Sequence, residues 1–166
     1  HVAIPRILET YRRLDVQQSF FLPGWCIETY PDAVEAILKG GHEIGHHGYL
    51  HEDPIDAPDQ RSWFDKALAV HQKYCGGTPA GYRAPVYNIN QEVVDLLIEH
   101  GFRYDSSMMA DDIPYSLETA HGKLWEMPVH WGTDDWPPFA HYAEIGYMMP
   151  VKAPSTGLAS FWEEFD

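Results

Sequence analysis

Apolar residues recur at two different spacings along the chain. In residues 4–14 they stand three or four positions apart, which predicts a helix. The run 17–22 is rich in apolar residues and is followed by a Pro-Gly pair, which predicts a strand that ends at a turn. A second helix is predicted over 31–39, where helical spacing returns and two glycines follow.

The alternation continues beyond these elements. The sequence predicts strands at 43–46 and 81–84 and helices over about 59–74 and 91–100, the last with Asn90 as its N-cap. Strands that alternate with helices through short connections are typical of βα units and of a mostly parallel sheet. The pattern alone leaves an α/β barrel and an open α/β sheet as alternatives.

A cluster of histidines follows the second predicted strand. Four histidines lie within residues 42–51, and His47 and His51 stand four positions apart. On a helix or in a tight loop, this spacing lets two imidazoles converge on one metal ion. A histidine-rich surface loop is the alternative. His42 and His46 are expected to serve structure, since strand alternation turns His46 to the face opposite His47.

Composition and charge exclude several classes of partner. The 166 residues are enough for one domain with a core, and the formal net charge of −14 argues against nucleic acid and against an anionic membrane surface. No apolar run approaches the length of a membrane span, so no membrane partner is expected. Cys26 and Cys75 are too few for a disulfide framework. Two reduced thiols and the lack of an apolar leader predict a cytoplasmic location.

The histidine segment carries a family resemblance. The run Gly41-His42-Glu43-Ile44-Gly45-His46-His47-Gly48-Tyr49-Leu50-His51 resembles the second motif of the polysaccharide deacetylase (NodB-homology) family. Residues 48–54 are similar to the branch that holds peptidoglycan deacetylase-like proteins and cofactor-free allantoinases. The resemblance implies a distorted (β/α) barrel. In metal-using members it also implies a divalent metal, usually zinc, on the histidines that match His47 and His51, together with an aspartate from an earlier strand.

Two further motifs occur in the family's order. Residues 81–85 resemble the R-x-P motif, which implies that Arg83 pairs with the catalytic-base aspartate and fixes its position. Residues 104–107 resemble the fourth motif, which implies that Asp105 supports the active site. The alternatives are a surface arginine before a turn proline and a helix or turn cap. The candidate substrate-binding residues within the motifs are Tyr49 and Pro85.

An aromatic, proline-rich loop follows a strand predicted over 126–131. Its residues Trp131, Trp136 and Phe139 could form a wall against which a sugar face or a heterocycle packs. A hydrophobic cluster under a long loop is the alternative. Because the loops after parallel strands gather at one face, we expect Trp136 to line one cleft with Arg83, Asp105 and His47.

The resemblance also implies motifs that the sequence does not contain. The family's first motif, an acidic pair, supplies the general base and a metal ligand, and its last motif supplies a histidine as general acid. We therefore expect residues 1–166 to form a single domain of this family that is incomplete at both ends, and the chain alone to be inactive. An intact domain would need more chain or a partner subunit, so a homo-oligomer is one expected state.

The predicted chemistry is hydrolysis of a non-peptide amide C–N bond by metal-activated water. The first hypothesis is N-deacetylation of N-acetylated sugars in a polysaccharide such as peptidoglycan or a chitin-like glycan. The second is an allantoinase-like hydrolase that opens a small cyclic amide. The third is a non-catalytic carbohydrate-binding remnant of the fold. A serine or cysteine nucleophile is not indicated, since the sequence has no G-x-S-x-G motif.

Overall fold

The computed structural model describes residues 2–57, 59–141 and 151–163. The α-helices are α1 (Ala3–Leu14), α2 (Gly24–Thr29), α3 (Pro31–Lys39), α4 (Gln60–Cys75), α5 (Gln91–Glu99), α6 (Trp136–Phe139) and α7 (Pro154–Glu163). The strands are β1 (Ser19–Leu22), β2 (Glu43–His46), β3 (Gly81–Tyr82), β4 (Tyr104–Asp105), β5 (Tyr115–Thr119) and β6 (Gly122–Glu126). None of the helices in these ranges is long and apolar enough to cross a bilayer.

The six strands form one sheet in the order β1-β2-β3-β4-β6-β5. The first five strands of that order pair in parallel, and β5 pairs with β6 as an antiparallel hairpin at the edge. Helices α3, α4 and α5 alternate with the parallel strands β1 to β4 along the chain, as in βα units. The predicted α/β class with a mostly parallel sheet is therefore confirmed.

The helix-covered face of the sheet carries the core. A row of register neighbours crosses four strands on this face, and all four side chains are buried: His46, Tyr82, Asp105 and Glu126. Phe64 of α4 stacks on the His46 ring, with centroids 4.5 Å apart, and Leu97 of α5 is fully buried in the same apolar cluster. Burial of these apolar side chains against the sheet is the main source of stability here.

The opposite face of the sheet has room for aromatic rings only because two strands carry glycine. A Cβ at Gly45 would lie 2.6 Å from the Phe21 ring, and one at Gly81 would lie 2.1 Å from the ring of Tyr104. Phe21 and Tyr104 meet edge to face, with centroids 6.4 Å apart. The two glycines thus let the rings lie flat against the backbone of β2 and β3.

The helix ends follow the sequence signals. The Asn90 side chain accepts a hydrogen bond from the amide of Val93 at 3.0 Å, which confirms the predicted N-cap of α5. Gly76 ends α4 in the left-handed conformation, with φ at 87°, because a residue without Cβ adopts it at little cost.

Three elements differ from the sequence prediction. Residues after Pro23 continue into helix α2 rather than a plain turn. The hairpin β5–β6 was not predicted. The strand expected to begin at Glu126 instead ends there, and residues beyond it form the short helical turn Trp131–Thr133.

The contacts divide the chain into two compact units, 1–128 and 129–166. The first contains the whole sheet and helices α1 to α5. In the second, Phe139 of α6 packs against Gly157 of α7, where an added Cβ would lie 2.3 Å from the ring. The expectation of one domain over 1–166 stays a prediction.

Candidate functional site

The two candidate metal ligands lie together where β2 ends. His47 is the first residue after β2, and His51 belongs to the tight loop that follows. Their ring centroids are 4.8 Å apart with the planes at 71°. The loop turns sharply because Gly48 and His51 both adopt positive φ, at 68° and 64°. Such backbone strain in a non-glycine residue is frequent at functional sites.

A backbone carbonyl orients the His47 ring. Its Nδ1 lies 2.7 Å from the Arg83 carbonyl oxygen, so Nδ1 carries the proton and Nε2 holds the lone pair. Burial lowers the pKa of His47 to about 4, which keeps the imidazole neutral at pH 7. A neutral imidazole whose second nitrogen is fixed by a carbonyl is the usual state of a histidine that binds a metal.

Glu52 holds the loop between the two histidines. Its carboxylate accepts hydrogen bonds from the amides of Tyr49, at 2.8 Å, and Leu50, at 2.6 Å. The amides of Gly24 and Trp25 donate to the carbonyls of Gly48 and Tyr49, both at 2.9 Å. The loop is thus fixed from its own end and from helix α2. The sequence predicted no role for Glu52, because glutamate is not one of the residue types that mark turns.

The side chains of Tyr49 and Pro85 are buried and pack against neighbouring residues. Tyr49 is buried, its hydroxyl donates to the Glu28 carboxylate, and the ammonium of Lys66 lies 3.6 Å from its ring centroid. Pro85 is also buried and lies under Gly48, where an added Cβ would be 3.1 Å from its Cγ. Neither side chain offers much surface to a substrate, so this geometry does not support the predicted substrate contacts.

Arg83 lies one residue beyond β3, next to the histidine loop. Its amide donates to the His46 carbonyl at 3.0 Å, and its guanidinium donates from Nε to the Ser106 carbonyl at 2.9 Å and from Nη2 to Ser106 Oγ at 2.7 Å. The guanidinium carbon also lies 4.5 Å from the Phe21 ring centroid. Arg83 is therefore held rigidly, and within the described ranges its guanidinium has no carboxylate in an ion pair.

A polar cavity of about 460 Å³ lies on the Arg83 side of the sheet. Arg83 lines it together with Tyr104 and Glu43, and the Tyr104 hydroxyl donates to Glu43 at 2.7 Å. Asp105 is not among the lining residues, because strand alternation points it to the helix-covered face. The expectation that Arg83 and Asp105 line one cleft is therefore wrong: Asp105 is fully buried and bonds to Ser107.

The three aromatic candidates belong to the second unit. Trp131 and Trp136 are 55% and 49% exposed, which leaves ring surface open to a ligand. Phe139 is partly buried against Gly157. Their membership of a cleft that also holds His47 stays a prediction.

The donor set at the histidine loop fits part of a divalent metal site. Two imidazole rings lie with their centroids 4.8 Å apart, and the His47 ring is anchored through Nδ1 as a metal ligand would be. Catalytic zinc sites usually have three protein ligands. Within residues 2–57, 59–141 and 151–163 no cluster of three histidine, cysteine or acidic side chains could hold a metal. The assignment of His47 and His51 as two of these ligands stays a prediction.

The fold and the histidine loop agree with a family assignment. The polysaccharide deacetylase family model matches residues 2–104, and the chain belongs to that family. A peptidoglycan deacetylase of Helicobacter pylori is 33% identical across 82% of this chain and 56% of its own length. A peptidoglycan deacetylase-like protein of Gibberella zeae is 36% identical across 67% of this chain and 34% of its own length. The chain thus spans only part of both relatives.

Solved structures show the same fold. A crystal structure of a polysaccharide deacetylase candidate from Mycobacterium smegmatis has a TM-score of 0.92 and 34% identity, covering 99% of this chain and 58% of that protein. The PuuE allantoinase structure has a TM-score of 0.81 at 22% identity over 98% of this chain and 53% of its own, which is a likeness of fold alone. The predicted fold of the polysaccharide deacetylase type is confirmed.

Proposed function

We propose that the protein carrying this chain is a metal-dependent hydrolase that removes acetyl groups from N-acetylated sugars of a glycan such as peptidoglycan. The observation that carries the proposal is the adjacent pair His47 and His51, whose ring centroids lie 4.8 Å apart, with His47 anchored on the Arg83 carbonyl. Membership of the polysaccharide deacetylase family and two relatives named for peptidoglycan deacetylation support the substrate class.

His47 and His51 would hold the metal, which is zinc by the family resemblance. A divalent metal bound there would supply Lewis acidity, polarising an acetyl carbonyl and lowering the pKa of bound water. His47 would bind through Nε2, since its Nδ1 proton is donated to the Arg83 carbonyl. The described residues contain no third side chain grouped with these two histidines, so the remaining ligand would be a carboxylate from outside the described residues.

Arg83 would serve as an electrostatic anchor beside the metal site. Its guanidinium is fixed by two hydrogen bonds to Ser106 and by the Phe21 ring, so its positive charge stays in one place. A carboxylate brought to the open side of this guanidinium would be kept ionised and oriented, as a general base requires. This role agrees with the implied function of the R-x-P motif.

Zinc binding by the full-length protein tests the metal part of the proposal. Loss of an outer-shell partner alone typically costs ~10–100-fold in metal affinity, so we expect His47→Ala and His51→Ala each to weaken zinc binding at least that much in calorimetric titration. The control is His121→Ala, because His121 is an exposed residue beside the β5–β6 turn. Equal zinc affinity of all three variants would contradict the site.

Acetate release tests the substrate part. The full-length, zinc-loaded protein should release acetate from chitooligosaccharides or peptidoglycan, and His47→Ala and His51→Ala should abolish the reaction. Allantoin is assayed in parallel with the same preparations. Turnover of allantoin without acetate release would replace the proposed function by the cyclic-amide hypothesis, and zinc binding without either reaction would leave the binding-module hypothesis.

A further inference from the structure

Two acidic side chains are fully buried side by side in the sheet. Asp105 ends β4 and Glu126 ends β6, and the two residues are register partners in a parallel pair of strands. Register partners project to the same face, which here is covered by helices. Both residues have 0% of their surface exposed. Buried acids of this kind need either a cation or a proton.

Backbone amides and one hydroxyl satisfy most of the carboxyl oxygens. The Ser107 amide lies 3.0 Å from Glu126 Oε1 and 3.2 Å from Asp105 Oδ2, and the Met108 amide donates to Glu126 Oε1 at 3.0 Å. The Ser107 hydroxyl donates to Asp105 Oδ1 at 2.7 Å. Glu126 Oε2 is buried and has no hydrogen-bond partner in the described part of the chain. The Ser107 amide bridges the two carboxyls, since it lies within hydrogen-bond distance of an oxygen of each.

Within the described part of the chain, neither acid forms an ion pair with a positively charged side chain. The titratable groups that face them are Tyr82 of β3 and Tyr115 of β5, two phenols whose own pKa values are raised by burial and by these acids. Two ionised carboxylates buried side by side would repel each other strongly.

We propose that Asp105 and Glu126 share one proton, and that this carboxyl pair is the positioning device that fixes Arg83 and His47. The pair anchors residues 106–108 through the Ser107 and Met108 amides. The anchored segment in turn binds the Arg83 guanidinium through Ser106, and the Arg83 carbonyl holds His47. The Ser107 hydroxyl also accepts the Ala84 amide at 2.8 Å, which ties the end of β4 to the segment after β3.

Electrostatics agrees with this geometry. Burial, followed by the neighbouring Glu126, raises the pKa of Asp105 to about 8. One proton therefore stays on the pair at neutral pH. The shared proton is a covalent O–H bond on one carboxyl and a hydrogen bond to the other, so the pair carries one negative charge in total.

Amide substitutions test the shared proton without any reference to activity. Asp105→Asn and Glu126→Gln each replace the O–H donor by an N–H donor, so each single variant should keep a melting temperature close to that of the parent at pH 7. In each single variant the N–H group donates to an ionised carboxylate, a charge-assisted hydrogen bond that is roughly twice as strong as a neutral one. The double variant keeps only a neutral amide–amide hydrogen bond in its place. It should melt lower than either single variant by roughly 2–4 °C or more, the shift expected when about 1 kcal/mol of a buried hydrogen bond is lost.

The control for these substitutions is Glu118→Gln, the same chemical change at an exposed position of β5. If both carboxylates were ionised, removing each charge would relieve repulsion, and the double variant would be at least as stable as the single ones. That outcome would overturn the shared proton. Infrared difference spectroscopy gives a second measurement: the parent should show a protonated-carboxyl band at pH 7 that both single variants lose. A parent without this band would also overturn the proposal.

The positioning role rests on the proposed function and is read from the pH profile of the full-length enzyme. In the parent, kcat should fall with little change in KM as pH rises past about 8, when the pair loses its proton. Asp105→Asn cannot lose that proton, so its profile should lack this decline. An unchanged decline in Asp105→Asn would refute the positioning role. An enzyme inactive on every glycan would refute the proposed function instead, while the infrared and melting measurements would still decide the shared proton.

Discussion

A methyl group added at Gly81 should collide with a ring that cannot move aside. The Cβ of Gly81→Ala would lie 2.1 Å from Cζ and 2.3 Å from Oη of Tyr104. The Tyr104 ring is fixed on two sides, by its hydrogen bond to Glu43 at 2.7 Å and by its edge-to-face contact with Phe21. The collision therefore has to be relieved by breaking one of these contacts or by shifting β3.

The expected loss of stability follows from two opposing effects. Overpacking of a well-packed site costs about 1–3 kcal/mol. The same change lowers the entropy of the unfolded chain, which returns about 0.4–1 kcal/mol. The net loss is about 1–2 kcal/mol, which for a chain of this size corresponds to a melting temperature lower by roughly 2–8 °C.

Thermal denaturation of Gly81→Ala beside Gly77→Ala checks this reasoning. A Cβ at Gly77 would meet nothing within 4 Å, so that variant should be neutral or slightly more stable than the parent. Because Tyr104 and Arg83 line the same cavity, Gly81→Ala should also lower the proposed deacetylase activity. Equal melting temperatures for the two variants would refute the claim that glycine is needed for the ring to lie against β3.

Two further predictions concern backbone strain and pH. Val86 is β-branched and exposed, and its φ of 52° is a conformation that costs a non-glycine residue about 1–2 kcal/mol. Val86→Gly should therefore leave the free energy of unfolding in urea unchanged or raise it. The control Val16→Gly, at an exposed position without positive φ, should lower it by about 0.5–1 kcal/mol. Burial lowers the pKa of His46 from 6.5 to about 3 and that of His47 to about 4, so their stabilisation is present above pH 6.5 and is lost as pH falls below it. Asp105, with its pKa raised from 3.8 to about 8, has the opposite sign and loses its stabilisation as pH rises from about 4 to 8. The contribution of these three groups to the free energy of unfolding should therefore peak near pH 6.5 and fall on either side, and a monotonic dependence from pH 5 to 8 would contradict this balance.

The elements with strong local signals could be predicted from the sequence. Helices α3, α4 and α5 were placed within one or two residues of their observed ends, because apolar periodicity and glycine or asparagine caps mark them. Helix α2 was not predicted because Pro23-Gly24 is typical of a turn and neither residue is a usual side-chain N-cap. The β5–β6 hairpin was missed because the connection before Gly122 has no Asn-Gly or Asp-Gly signal.

The candidate site was predictable only where it is local in sequence. His47 and His51 lie in one motif, and Arg83 lies in another that directly follows a strand, so pattern and resemblance identified both. Glu126 had no such signal. Its contact with Asp105 depends on β6 pairing with β4 while β5 lies outside, an order of strands that the spacing of residues does not encode.

Two amide hydrogen bonds join helix α2 to the histidine loop and couple the movements of the two segments. Gly24 and Trp25 donate to carbonyls that lie between His47 and His51, so the loop cannot open without releasing the start of α2. The hydrogen-exchange rates of the Gly24 and Trp25 amides should therefore report how often the loop opens. Their protection reports how tightly the loop is closed, with or without a ligand on the histidines, from a position that no ligand has to touch.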